Sequence, residues 1–118
     1  MPRGGDDIDN IDREKAWEIL QHISDQYSIR ILRATLHQAL DAITLSNQLG
    51  IPIAVCYRRI RELEKLGLIK KEGKKLTNKG KWITLYKANL KNAEVKMEEG
   101  RIVIRLKFRW GREEEIEL

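Results

Sequence analysis

Three consecutive residues, Gly50-Ile51-Pro52, constrain the fold of this 118-residue chain more than any other stretch. Glycine ends helices in the left-handed conformation, and proline is tolerated in the first turn of a helix but not inside one. With Ile51 between them, the stretch reads as a tight corner that plugs one apolar side chain into a core. Both flanks are helical. Ala42 to Leu49 turns Leu45 and Leu49 inward, with Asp41 as its cap and with Ser46 where two crossing helices come close. Pro52 to about Leu66 carries Cys56, Ile60 and Leu63 on one stripe, at helical spacing. Ala54, Tyr57, Arg58, Arg61 and Lys65 recur on the opposite, basic and aromatic side, and Gly67 ends the helix.

A ribbon follows without spare residues. Leu68-Ile69 opens a strand, Glu72-Gly73 is expected to form its two-residue turn, and Leu76-Thr77 closes the return. Lys70, Lys71, Lys74 and Lys75 crowd this ribbon. Lysines there also discourage edge-to-edge aggregation, so by themselves they name no partner.

Charge is unevenly spread. Residues 1–50 hold five basic and eight acidic side chains, residues 51–75 eight basic and three acidic, and residues 76–91 four lysines and no acid. Residues 92–118 hold six basic and seven acidic. The whole net charge of +5 therefore arises between Ile51 and Lys91. Such a local field attracts polyanions. A charge run alone is an ordinary solvated face; its place on this helix pair is what gives it meaning.

Before the pair, residues 1–9 read as a flexible arm. A helix opens at Asp12-Arg13-Glu14, with Asp9 or Asn10 as candidate cap and Ala16, Ile19, Leu20 and Ile23 on its apolar face. Trp17 lies beside that face. Asp25 caps a second helix, Tyr27 to about Gln38, whose Ile29, Leu32, Leu36 and Leu40 share one side. Beyond the ribbon, Trp82, Leu85, Tyr86 and Leu90 fit helical spacing, while the Trp-Ile-Thr-Leu-Tyr content favours a strand; a strand is expected at Trp82–Lys87. The last hairpin is the clearest β signal. With Glu99-Gly100 as its turn, Met97 faces Ile102, Val95 faces Ile104 and Ala93 faces Leu106, while Glu98 meets Arg101 and Glu94 meets Arg105 on the other side. Residues 111–118 read as an acidic tail.

These elements predict an α+β chain: a helix-turn-helix with a β-wing, three to four helices in all, and an added C-terminal antiparallel hairpin. Residues 10–81 would form the DNA-binding domain, with the wing at 68–77, and residues 82–110 a β-extension; the N-terminal helix with Trp17, this C-terminal sheet, or both are the candidate dimer surfaces. In such a motif the second helix lies in the major groove. Its start, Ile53 and Ala54, can touch thymine methyls; Tyr57 and Arg58 are the candidates for polar readout. Arg61 and Lys65 lie further along, toward phosphates. Lys70, Lys71, Lys74 and Lys75 would meet the backbone or the minor groove, which gives affinity more than sequence choice.

The stretch GIPIAVCYRRIRELEKLGLI followed by KKEGKKLTNKGK resembles the winged helix-turn-helix of archaeal ArsR-like transcription regulators, over roughly Ser24 to Lys81. The resemblance implies a dimeric DNA-binding regulator with recognition contacts at Ile53, Ala54, Tyr57 and Arg58. Metal-sensing members carry paired cysteines or His/Asp clusters. This chain has only Cys56, on the expected buried face, and a sensing thiol needs exposure and a lowered pKa. No metal, cofactor or catalytic residue is therefore expected. His22 and His37 are read as capping or surface residues. No phosphate-binding glycines, paired carboxylates or Ser/His/Asp spacing suggest an enzyme. A single cysteine, no apolar signal region and no membrane-length apolar run point to a cytoplasmic, nucleoid-associated location. Double-stranded DNA is the expected partner and the homodimer the expected state. A low-specificity architectural DNA binder and a winged-helix protein-interaction module are the alternatives.

Overall fold

Three aspartates start three helices. The computed structural model describes residues 12–118, so the arm at 1–9 and the candidate caps Asp9 and Asn10 lie outside the described residues. Asp12, Asp25 and Asp41 precede α1 (Arg13–Ile23), α2 (Gln26–Ala34) and α3 (Ala42–Leu49), and each carboxylate accepts the N–H three residues on, from Lys15, Ser28 and Thr44. Each thus satisfies a backbone donor that has no intrahelical acceptor. α2 stops at Ala34, short of the expected Gln38. Thr35 turns its hydroxyl back onto the Ile31 carbonyl at 2.8 Å, and its own carbonyl accepts the N–H of Ala88. α4 spans Ile53–Lys65, with Pro52 as its N-cap rather than its first residue.

Five strands follow: β1 (Ile69–Leu76), β2 (Trp82–Ala88), β3 (Leu90–Glu98), β4 (Arg101–Phe108) and β5 (Glu113–Glu117). β1 and β2 pair antiparallel, and Leu40 adds a bridge to Tyr86 on the outer edge of β2. Two expectations change here. Glu72-Gly73 is a bulge inside β1, where the pairing steps from Lys71↔Tyr86 to Lys74↔Thr84, and not the turn. The turn is Thr77 to Gly80, closed by the Thr77 N–H to the Lys81 carbonyl at 2.7 Å and by the Lys81 N–H to the Thr77 hydroxyl at 3.1 Å. Thr77 supplies three of the bonds the turn needs, and Gly80 supplies its positive φ. The return strand of the wing is therefore β2 itself, so the wing runs over residues 69–88 rather than 68–77. The expected strand at Trp82–Lys87 is present.

The second sheet has the order β3-β4-β5. The β3–β4 register is the one the sequence pattern predicts, in all five pairs. Glu99 and Gly100 both take positive φ, as a two-residue turn of this hand requires. The acidic tail is corrected: residues 113–117 form β5, with Ile116 opposite Ile104 and Glu115 opposite Arg105. A single Ile116 among glutamates suits an edge strand that turns one apolar side chain to the core. Arg101 and Arg105 bind Glu117 and Glu115 at 3.0 and 2.7 Å on the other face.

One core joins both halves. Ile104, Leu106 and Phe108 from β4 are buried with Ala16 and Ile19 of α1, Ile31 of α2, Leu45 of α3, and Ile60 and Leu63 of α4. The two sheets meet at Asn89, whose N–H reaches the Leu68 carbonyl at 2.9 Å and whose carbonyl accepts from Arg109 at 2.7 Å. Trp110, half exposed, stacks on buried Phe108 with ring centroids 5.3 Å apart. Among the described residues, no helix is long and apolar enough to cross a membrane.

Candidate nucleic-acid interface

The corner between α3 and α4 is built as its sequence demands. Gly50 is left-handed at φ 67°, and Ile51 is buried. The Ser46 carbonyl accepts the Ile51 N–H at 3.1 Å, while the Ser46 hydroxyl donates to the Ile51 carbonyl at 2.5 Å. The Arg30 guanidinium donates to the Leu49 carbonyl and so ties off the end of α3. Cys56 packs in the core with its Sγ 3.6 Å from the Ala42 carbonyl, and burial pushes its thiol pKa up. That is the opposite of what a redox or metal-sensing thiolate needs.

The orientation of α4 is set by its buried stripe of Cys56, Ile60 and Leu63 and by one ion pair. Arg59 Nε lies 2.9 Å from Asp25 Oδ2, so the cap of α2 also holds α4. Burial alone would raise the Asp25 carboxyl; the hydrogen bonds from Arg59 and from the Ser28 N–H outweigh it and bring the pKa down to about 2.

Everything expected to meet DNA is exposed: Ile53, Ala54, Tyr57, Arg58, Arg61 and Lys65 on α4, and Lys70, Lys71, Lys74 and Lys75 on β1. These side chains are not equally available. Lys75 Nζ sits 3.4 Å from Asp41 Oδ1, and Lys70 Nζ sits 3.4 Å from Glu72. Arg58, Arg61, Lys65, Lys71 and Lys74 have no ion-pair partner among the described residues. Arg58, Arg61 and Lys65 line one shallow trough with Glu62 and Glu64. Lys65 also borders a depression with Asp12 and with Glu14 and Glu18 of α1.

Tyr57 is the residue that α4 shares with the wing. It lines a concavity of about 230 Å³ together with Asp41, Ile43, Trp82 and Thr84. Beneath it, burial and then the nearby Glu64 carboxylate and Tyr57 raise the Tyr86 pKa. Trp82 is 65% exposed and pairs directly with Leu76, which is 55% exposed, at the end of the wing ladder. Directly opposed residues project from the same side of a ribbon. Ile43, Leu76 and Trp82 were not among the expected contact residues. The signal for the latter two was the Thr77–Gly80 turn, which sets them side by side; with the turn assigned to Glu72-Gly73, they fell in separate elements. Among the described residues, no group of three or more His, Cys, Asp or Glu side chains is placed to hold a metal ion.

Residues 43–70 match the family model described as winged helix-turn-helix DNA-binding. The fold is a winged helix-turn-helix. The matched residues cover α3, the corner, α4 and the first residues of β1, while the C-terminal sheet lies beyond them. A comparison with curated proteins found no match.

Proposed function

We propose that this protein is a DNA-binding transcription regulator of the ArsR-like kind, without the metal response. It acts as a homodimer that places α4 in the major groove and the wing on the backbone or minor groove. The observation that carries the reading is the concavity in which Tyr57 of α4 meets Trp82 and Thr84 of the wing, with Arg58, Arg61, Lys71 and Lys74 exposed on the same two elements and with α4 inside the stretch that matches a DNA-binding family. The cations supply a salt-dependent grip on phosphates. Arg58 supplies the donors for a base edge. α4 also begins without a side-chain cap, so its first N–H groups are open to a phosphate. The same features support a non-enzymatic role in the cytoplasm, on the nucleoid.

A second reading, a low-specificity architectural binder, is favoured by one observation. The first turn of α4 exposes Ile53 and Ala54, which offer no hydrogen bond to a base. Selection of random duplexes by the purified protein separates the two. Enrichment of one two-fold sequence, held ~10³-fold or more tighter than random DNA at physiological salt, supports the regulator. Retention that is sequence-blind and steep in salt supports the architectural role. No retention at all overturns both.

A further inference from the structure

β3 is an edge strand, and all of Lys91 to Glu98 is exposed. Its apolar residues are left half uncovered: Val95 is 45% exposed and Met97 72%, whereas Ile104 and Leu106, opposite Val95 and Ala93 on β4, are buried. An exposed edge presents unpaired N–H and C=O groups and is a template for another strand. The turn fixes which groups those are. In a two-residue turn the residue before it accepts from the residue after it, so Glu98–Arg101 is a hydrogen-bonded pair. Ladder pairs alternate, so the backbone groups of Ala93, Val95 and Met97 point away from β4. Among the described residues, no strand pairs with that side of β3.

We propose that this edge is where two copies of the chain join, β3 against β3 antiparallel, about a two-fold axis at Val95. The proposal rests on the homodimer part of the function proposed above and adds the surface. The argument is self-complementarity. With the axis at Val95, Val95 meets Val95 of the other copy, Ala93 meets Met97, and Glu94 meets Lys96, all in duplicate. At the ends, Asn92 comes opposite Glu98. Apolar residues meet on one face and opposite charges on the other, and the outward backbone groups of Ala93, Val95 and Met97 are those that bond. Axes at the two adjacent residues fail. An axis at Glu94 sets Glu94 against itself. An axis at Lys96 sets Lys96 against itself and Glu94 against Glu98. A shift of a single residue in the pairing turns the apolar face of one strand to the charged face of the other. The product is one six-stranded sheet.

A charge swap tests this register in the full-length chain. Glu94→Lys alone sets lysine against lysine twice, and Lys96→Glu alone sets glutamate against glutamate twice. Each is expected to weaken the dimer, read by sedimentation equilibrium, on the order of tenfold or more in Kd. An equimolar mixture of the two variants restores both pairs and recovers a heterodimer; the double variant E94K/K96E recovers a homodimer. In Glu94→Lys, Arg105 keeps Glu115 at 2.7 Å, and circular dichroism confirms the fold of each variant. A wild-type dimer unmoved by either single substitution overturns the surface and leaves the homodimer reading standing. A wild-type monomer at every concentration, including one whose edge is covered by its own residues 1–11, overturns both. DNA binding is judged independently by the duplex selection.

Discussion

Lys75 Nζ, on the wing, lies 3.4 Å from Oδ1 of Asp41, the cap of α3, across 34 residues of sequence. The wing is therefore fastened to the start of the helix pair it accompanies. Asp41 is nearly fully buried and also accepts from the Thr44 N–H at 3.0 Å and the Thr44 hydroxyl at 2.6 Å. Burial raises its pKa, and the Thr44 and Lys75 interactions more than offset that and lower it. Asp41→Ala should cost about 1–2 kcal/mol in urea unfolding, through the lost cap and the exposed donors. Lys75→Ala, at a half-exposed side chain, should cost less than ~1 kcal/mol. Equal costs would show that the ion pair, and not the cap, is what Asp41 contributes.

Asp25 gives the chain an acid-sensitive latch. Its folded pKa of about 2 lies below the ordinary carboxylate value. A carboxyl depressed in the folded state contributes stability above its unfolded pKa, and that contribution is lost as pH falls from about 4 to about 2. With a partly exposed pair, the loss should amount to roughly 1–2 kcal/mol. Asn is an equally good helix cap, so Asp25→Asn keeps the cap and removes the charge. Urea midpoints measured from pH 2 to 6 should flatten in this variant over that window. An unchanged slope would remove Asp25 from the acid response.

Arg58 and the wing lysines should fail in different ways. Arg58→Ala should cost ~1–3 kcal/mol on the selected sequence and much less on random duplex. Equal losses on both would move Arg58 from a base edge to a phosphate. Lys74→Ala should leave sequence preference intact and lower the salt slope by about one. Lys75→Ala should lower it by less, because Asp41 already holds that ammonium. Identical slopes for the two variants would contradict the inequality of these neighbours.

Trp82 should matter for binding and not for folding. It is mostly exposed on the wing beside Leu76, and apolar side chains of this kind wedge against bases in the minor groove. Trp82→Ala should weaken DNA binding by ~1 kcal/mol or more and leave the melting temperature within a degree or two of wild type. Unaltered affinity would take the wing end off the DNA.

Local rules made much of this legible in the sequence. The left-handed Gly50, the caps at Asp25 and Asp41, the stripe of Cys56, Ile60 and Leu63 and the full β3–β4 register each depend on residues within a turn or a hairpin. What escaped depends on partners far along the chain. Arg59–Asp25 and Lys75–Asp41 each span 34 residues, and no spacing rule links such positions. Glu72-Gly73 has good turn chemistry, but Thr77 and Gly80 form a turn that pairs Leu76 with Trp82, and the better ladder wins. β5 reads as a run of acids until β4 offers Ile104 to Ile116 and arginines to its glutamates. Of the candidate site, the spacing found the exposed face of α4 but not the place of Trp82 beside Tyr57, because that place depends on where the turn falls.

Glu72, at the wing bulge, holds Arg109 at 3.0 Å, Lys70 at 3.4 Å and Lys87 at 3.8 Å. Arg109 directly follows β4. One carboxylate thus clamps the wing to the C-terminal sheet, and a swing of the wing by itself has to break that clamp. In a pair joined through β3, two wings so clamped would stand apart like the jaws of a fixed gauge. The number of base pairs between the halves of a binding site would then be set by a strand that belongs to neither the helix pair nor the wing.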